Sequence, residues 1–265
     1  MKKETIDQCA ESLYQAFVTN TPIDRLSLKY PEDLTIEAGY AIQSRMLAMM
    51  EAAGRHPAGH KIGLTSKAMR DLVHIQEPDY GRIFYEDCFH SGAEVACDRF
   101  IYPRIEAEIL FKLKESLDRP NITEEDVVRA TQYFVPAFEI IDNRYRIEGQ
   151  LISDSIADNA ANGAYVIGDE PCYFGEHLSN AELPLQGINL EKNGRQIDTS
   201  TCAAVMGNPT TAVAWLANKM FSLGEPLKAG ELVLSGSIIA AVDVQKGDYF
   251  RCDYGSLGYV SVHFV

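Results

Sequence analysis

The 265-residue chain has no long apolar run. Its longest fall far short of the roughly 20 residues that a membrane helix needs. Met1-Lys-Lys-Glu-Thr-Ile-Asp7 lacks the apolar core and cleavage site of a signal peptide, so a cytoplasmic protein is expected. No C-x-x-C pair occurs among Cys9, Cys88, Cys97, Cys172, Cys202 and Cys252, and no histidine stands near them in ligand spacing. A zinc site and a redox pair are therefore poorly supported, and reduced thiols are the simpler account. Lysine and arginine are scarce, 24 against 38 acidic residues, for a net charge of −14. That balance disfavours nucleic acid and anionic membranes, because binding phosphates needs clustered cations. G-x-G-x-x-G, Walker and G-x-S-x-G sequences are absent, which removes the common nucleotide loops and the nucleophile elbow. With no linker, repeat or low-complexity tract, residues 1–265 read as one domain: a helical N-terminal segment over 1–56, then a β-rich core over 57–265.

The local signals support that division. Glu4 to Phe17 and Thr35 to Ala53 carry apolar residues near helical spacing, the second ending at Gly54 as a cap. From His60 onward short β-rich stretches are punctuated by glycine. Thr123, with Asp126 three residues on, opens a helix to about Gln132. Asn193-Gly194 predicts a two-residue hairpin, and Asn208-Pro209 caps a helix to about Leu223. The closely spaced strands after Glu231 predict an antiparallel or mixed sheet rather than a doubly wound parallel one.

Three acidic residues lie in two apolar stretches, Arg104-Ile-Glu-Ala-Glu-Ile-Leu-Phe111 and Phe134-Val-Pro-Ala-Phe-Glu-Ile-Ile141. On an extended chain Glu106 and Glu108 share one face, roughly 6–7 Å apart, while Ile105, Ala107, Ile109 and Phe111 line the other. An isolated E-x-E is ordinarily the wet face of a half-buried strand. Glu139 changes the reading, because a carboxylate among Phe138, Ile140 and Ile141 needs a partner. A hard divalent cation would satisfy all three, and oxygen donors without thiols or clustered histidines favour Mg²⁺ or Mn²⁺.

Lys61, alternating with Ile62 and Leu64, either snorkels to solvent or faces a metal-bound substrate as a cation or proton carrier. Asp79 either caps a turn or serves as a general base. The stretch from Ile152 to Gly163, with Asp158, Asn159 and Asn162, is either local backbone capping or a substrate-lining loop.

Together these motifs resemble the hydratase and decarboxylase branch of the fumarylacetoacetate hydrolase superfamily over essentially the whole chain. The residues that carry the resemblance are Lys61-Ile-Gly-Leu-Thr-Ser66, Glu77-Pro-Asp-Tyr-Gly81, Pro103-Arg-Ile-Glu-Ala-Glu108, Pro136-Ala-Phe-Glu-Ile-Ile-Asp142, Ala157-Asp-Asn159 and Tyr254-Gly-Ser-Leu-Gly258. The resemblance implies an α+β fold, a mixed β-roll with peripheral helices, in a homo-oligomer. It implies Glu106, Glu108 and Glu139 as ligands of Mg²⁺ or Mn²⁺, Lys61 as the active-site lysine, and Asp79 as the base that activates water. Leu64, Arg82, Asn159 and Ser237 are expected to line the substrate. The implied reaction adds water to a 2-oxo or 2-hydroxy dienoate of aromatic catabolism, giving a 4-hydroxy-2-oxo acid.

Decarboxylases of the branch carry an apolar residue where Asp79 stands, so Asp79 favours hydration. Ala161, Asn162, Lys67-Ala-Met69 and Arg99-Phe-Ile101 look more like enzymes acting on 2-oxohept-4-ene-1,7-dioate than on 2-hydroxypenta-2,4-dienoate. A seven-carbon diacid needs a second cation for its far carboxylate, with Arg70, Arg82 and Lys67 as candidates. The rival readings are a 4-oxalocrotonate-type decarboxylase and an inactive, metal- or organic-acid-binding scaffold subunit. Association with a pathway decarboxylase or aldolase is a further expectation.

Overall fold

The computed structural model describes residues 1–72, 75–146, 149 and 151–265. Three helices come first: α1 (Lys3–Thr19), α2 (Leu26–Lys29) and α3 (Ile36–Ala52). There follow β1 (Pro57–Gly63), α4 (Lys67–Leu72), β2 (Asp79–Phe84), β3 (Cys88–His90), β4 (Ala93–Val95), β5 (Arg104–Leu113), α5 (Glu124–Ala130) and β6 (Thr131–Ile141). The second half runs through α6 (Ile152–Ala157), β7 (Asn162–Ile167), β8 (Gly187–Lys192), β9 (Arg195–Thr201), α7 (Pro209–Ser222), β10 (Leu232–Leu234), β11 (Val242–Asp243), β12 (Tyr249–Asp253) and β13 (Tyr259–Phe264).

Local chemistry sets several of these boundaries. The Thr35 side chain accepts the Ala38 N–H at the start of α3, and Thr123 and Asp126 form a reciprocal capping box on α5. Both arrangements satisfy N–H groups that the first helical turn leaves free. Asn193 and Gly194 take φ of 54° and 72° between the antiparallel partners β8 and β9, as the tight hairpin requires. The helix predicted to run to Gln132 stops earlier, because β6 begins at Thr131 and pairs with β5 over its whole length.

The large sheet has the order β2-β1-β10-β5-β6-β7-β3, with β11 added beside β5. The small sheet has the order β4-β13-β12-β8-β9. Parallel contacts (β1 with β10, β3 with β7, β13 with β4) interrupt otherwise antiparallel pairing. Alternation then gives the large sheet two different faces. Ile62, Ile105, Ala107, Ile109, Phe111, Phe138, Ile140, Ala164 and Val166 join Ile188, Leu190, Phe250, Val260, Val262 and Phe264 of the small sheet in one core. Each fully buried valine, leucine, isoleucine or phenylalanine among them contributes about 1.5–3 kcal/mol. α1 and α3 make a second core with Leu26, Phe84, Tyr145 and Ala157, which fastens the helical N-terminus to the outer end of β2. The opposite face of the large sheet carries Leu110, Val135, Ala137, Tyr165 and Leu234, and at one end of that face lie the acidic residues.

Candidate active site

Antiparallel register places Glu106 directly opposite Glu139, and Glu108 opposite Ala137. The two strands thus converge three carboxylates, each offering an oxygen within 4.8 Å of the others. Glu108 and Glu139 are fully buried, while Glu106 is partly open. Each buried glutamate is tethered through one oxygen and left bare at the other. The Gly236 N–H donates to Glu108 Oε2 at 2.8 Å, whereas Oε1 has no hydrogen-bond partner. Asn162 Nδ2 donates to Glu139 Oε1 at 3.2 Å, whereas Oε2 lies 3.3 Å from Lys61 Nζ and has no hydrogen bond. Buried acceptors without partners are costly. A hard cation fits these bare oxygens, because it takes carboxylate donors and tolerates water in its remaining positions.

Lys61 comes from β1, where it pairs across to Gly81 of β2 and Leu234 of β10. Its side chain is buried, and Nζ donates to the Ala160 carbonyl at 3.0 Å. Asp79 opens β2 opposite Gly63. A methyl group at Gly63 would come within 2.0 Å of Asp79 Oδ1 and 3.4 Å of Lys61 Nζ. Both functional groups therefore stand over the bare Cα of Gly63, and Asp79 Oδ1 is itself buried without a partner. Gly236 plays a related part on the other side: its φ of +105° favours glycine, and a Cβ there would meet the Thr65 hydroxyl at 2.5 Å.

Burial dominates the electrostatics of the cluster. It pushes Glu106 up to about 7, with Glu139 beside it acting in the same direction. Glu108 is pushed well above the usual carboxylate range by burial and by Glu139 and Glu106, and Glu139 is raised by burial even though Lys61 opposes the shift. Asp79 is raised for the same reason. Burial works against the charge of Lys61, but Glu139, Asp79, Glu106 and Glu108 outweigh it and hold the ammonium above its ordinary pKa. The lysine is held as a cation among four acidic side chains.

No protein-family model matches the chain. It is 41% identical, over 99% of both sequences, to 2-oxo-hept-4-ene-1,7-dioate hydratase of Escherichia coli. It is 37% identical to 2-keto-4-pentenoate hydratase of Paraburkholderia xenovorans, covering 100% of this chain and 96% of that one. The solved structure of 4-oxalocrotonate decarboxylase from Pseudomonas putida G7, complexed with magnesium and adipate, superposes with a TM-score of 0.92 at 32% identity, covering 100% and 99% of the two chains.

The chain belongs to the hydratase and decarboxylase branch of the fumarylacetoacetate hydrolase superfamily.

As a member of that branch, the protein brings together five of the residues singled out in the sequence: Glu106, Glu108, Glu139, Lys61 and Asp79. The other four lie differently. Leu64 follows β1 with φ of 56°, and its carbonyl accepts from Arg70 Nη1 at 2.8 Å. Ser237 follows Gly236, and its hydroxyl donates to the Ile239 carbonyl at 2.5 Å. Asn159 spends its side chain on the backbone of Arg82, accepting from N–H and donating to C=O at 2.8 Å each. Arg82 pairs with His60 across β1 and β2, and strand alternation places both on the face away from Lys61 and Asp79. There Arg82 meets Glu225 at 3.3 Å, beside a cleft lined by Tyr40, His60, Tyr80 and Met220. This parity separates Arg82, expected to line the substrate, from Lys61 and Asp79.

Lys67 is exposed and paired with Asp71. Arg70 instead ties down the Leu64 and Thr65 carbonyls next to the site. The side chains of Ala68 and Met69 lie outside those described. The tethering roles of Asn162 and the Gly236 N–H are not legible in the sequence. Asn162 carried a signal, a buried-strand neighbour of polar Asp158 and Asn159. A backbone N–H carries none beyond its glycine.

Proposed function

We propose that this protein is a Mg²⁺- or Mn²⁺-dependent hydratase that adds water to a 2-oxo or 2-hydroxy dienoate, giving a 4-hydroxy-2-oxo acid, with 2-oxohept-4-ene-1,7-dioate as the favoured substrate. The observation that carries this is the buried Asp79 carboxylate, its Oδ1 without a partner, standing over Gly63 beside Lys61, on the face that bears the three glutamates. Glu106, Glu108 and Glu139 would hold the metal, which supplies Lewis-acid stabilisation of negative charge on the substrate's C2 oxygen. Lys61, held charged by its acidic neighbours, donates a hydrogen bond to that oxygen and can return a proton during tautomerisation. Asp79 takes a proton from water as its oxygen adds at C4. A carboxylate raised above its ordinary pKa by burial is a stronger base than one in water.

The identity to a diacid hydratase supports the longer substrate. Of the three cations considered for its far carboxylate, Arg70 is the one tied to the loop that leaves β1 beside Lys61. Residues 1–265 are read as one hydratase domain. The cytoplasm is the compartment proposed, in keeping with six free thiols. Exposed Tyr85, Tyr102, Leu185, Tyr249 and Tyr259, with β9 at the rim of the small sheet, offer surface for a homo-oligomer or for a pathway decarboxylase or aldolase.

Asp79→Asn tests the assignment. It is expected to abolish hydration while leaving metal binding intact and sparing any decarboxylation of 4-oxalocrotonate, which needs the electron sink but not the base. A hydration rate equal to that of the parent protein would remove Asp79 from the chemistry.

A further inference from the structure

The carboxylates and the lysine come from strands, but a single irregular segment holds one of the carboxylates and the lysine. After α6 the chain enters three consecutive left-handed residues, Asn159, Ala160 and Ala161, at φ of 54°, 50° and 56°. None is glycine, and alanine rarely adopts this conformation even once. Such a run persists only where the surroundings over-determine it. Here they do. Asp158 and Arg144 are both buried and joined through Arg144 Nε to Asp158 Oδ1 at 2.6 Å and Arg144 N to Oδ2 at 2.9 Å. The same guanidinium donates at 2.6 Å to the carbonyls of Asp158 and Asn162, the two ends of the segment.

Clamped in this way, the segment makes three directed contacts. The Ala160 carbonyl accepts from Lys61 Nζ. Asn162 Nδ2 donates to Glu139 Oε1. The Asn159 side chain closes a two-way bridge with the Arg82 backbone on β2, the strand that Asp79 begins. That approach needs Gly81, where a Cβ would lie 2.5 Å from the Asn159 carbonyl. One segment therefore touches a metal-side carboxylate, the lysine and the strand of the base.

We infer that residues 158–162 are the positioning element of the site, and that Asn162 is the positioning residue for Glu139. By occupying Oε1, the Asn162 amide fixes the glutamate so that Oε2 faces Lys61. A freed Glu139 can rotate and take Oε2 out of that position. Groups that orient a metal ligand in this way typically set affinity by about 10- to 100-fold. The inference rests on the reading of the three glutamates as a divalent-metal site, and its test needs neither substrate nor turnover.

Mn²⁺ binding to purified, metal-free protein is titrated by electron paramagnetic resonance, for the parent protein, Asn162→Ala and Asn162→Asp. The metal-free melting temperature of each is recorded alongside. Asn162→Asp keeps the shape but turns an acceptor toward Glu139. Both variants are expected to melt close to the parent and to bind Mn²⁺ about 10- to 100-fold more weakly. A residue with a merely structural role would lower the melting temperature and leave the affinity of the folded fraction unchanged. Unchanged affinity in both variants overturns the inference while leaving the metal site standing. A parent that binds no Mn²⁺ overturns the metal-site reading and this inference with it. Should Asn162→Asp fail to fold, Asn162→Ala alone decides by the same comparison.

Discussion

Space at Gly63 decides the placement of the reactive groups. A single methyl there would overlap Asp79 Oδ1 at 2.0 Å and crowd Lys61 Nζ at 3.4 Å, so Gly63→Ala must push one or both aside. Misplacement by about 1 Å can cost about 100-fold in rate, and kcat for hydration is expected to fall by about that factor while the Mn²⁺ affinity of the glutamates stays within a few-fold. Loss of metal binding without loss of kcat per bound metal would contradict this. Arg70 provides a second residue-scale test. Arg70→Ala is expected to raise KM for the seven-carbon diacid by roughly 10-fold or more, as loss of a charged hydrogen bond does, and to leave KM for 2-hydroxypenta-2,4-dienoate nearly unchanged. Equal effects on both substrates would assign Arg70 to holding the Leu64–Thr65 turn.

At the scale of elements, the paired strands and the segment that braces them carry separate loads. The Arg144–Asp158 pair is buried on both sides, and burial pushes Asp158 up to about 6 against the pull of Arg144. Removing one member leaves the other charge uncompensated, so Asp158→Ala is expected to destabilise the fold by about 3–5 kcal/mol, measured by denaturant unfolding. A cost below about 1 kcal/mol would show that the segment is held by other means. Much of this scale was legible in the sequence. The E-x-E alternation gave the shared face, Thr123 and Asp126 gave the cap of α5, and Asn193-Gly194 gave the hairpin, because each is a local preference with a local cause. Register was not legible, so that Glu106 would face Glu139 could be expected only from the resemblance. The 158–162 segment was not legible either, since a left-handed run of Asn-Ala-Ala is imposed by Arg144 from outside it. The separation of Arg82 from Asp79 is legible in the spacing: it stands three residues after Asp79 on one strand, and odd spacing puts the two on opposite faces.

For the whole molecule, two sheets share one core on the inner face of the larger sheet, leaving its other face free to gather charge. The cost of that arrangement appears in the pH dependence. Glu106 is raised from its ordinary value of 4.5 to about 7, so its contribution to stability is fully present below about 4.5 and is lost as pH rises through about 7. Glu108 and Glu139 shift the same way. The melting temperature of metal-free protein is therefore expected to fall as pH rises from about 4.5 to about 7. Mg²⁺ at about 100 times its Kd should add about 2.7 kcal/mol at neutral pH and flatten that fall. Superimposable curves with and without Mg²⁺ would contradict the account. No helix among the described residues is long and apolar enough to cross a membrane.

The measurement that bears most directly on the account is a proton NMR time course of the purified protein with Mg²⁺. It is offered 2-oxohept-4-ene-1,7-dioate, 2-hydroxypenta-2,4-dienoate and 4-oxalocrotonate separately, each repeated with EDTA. A 4-hydroxy-2-oxo acid is expected, formed fastest from the seven-carbon diacid, with its formation abolished by the chelator. Carbon dioxide release from 4-oxalocrotonate with no hydration of the other two would make the protein a decarboxylase, and no turnover of any of the three by metal-loaded protein would leave it a binding subunit.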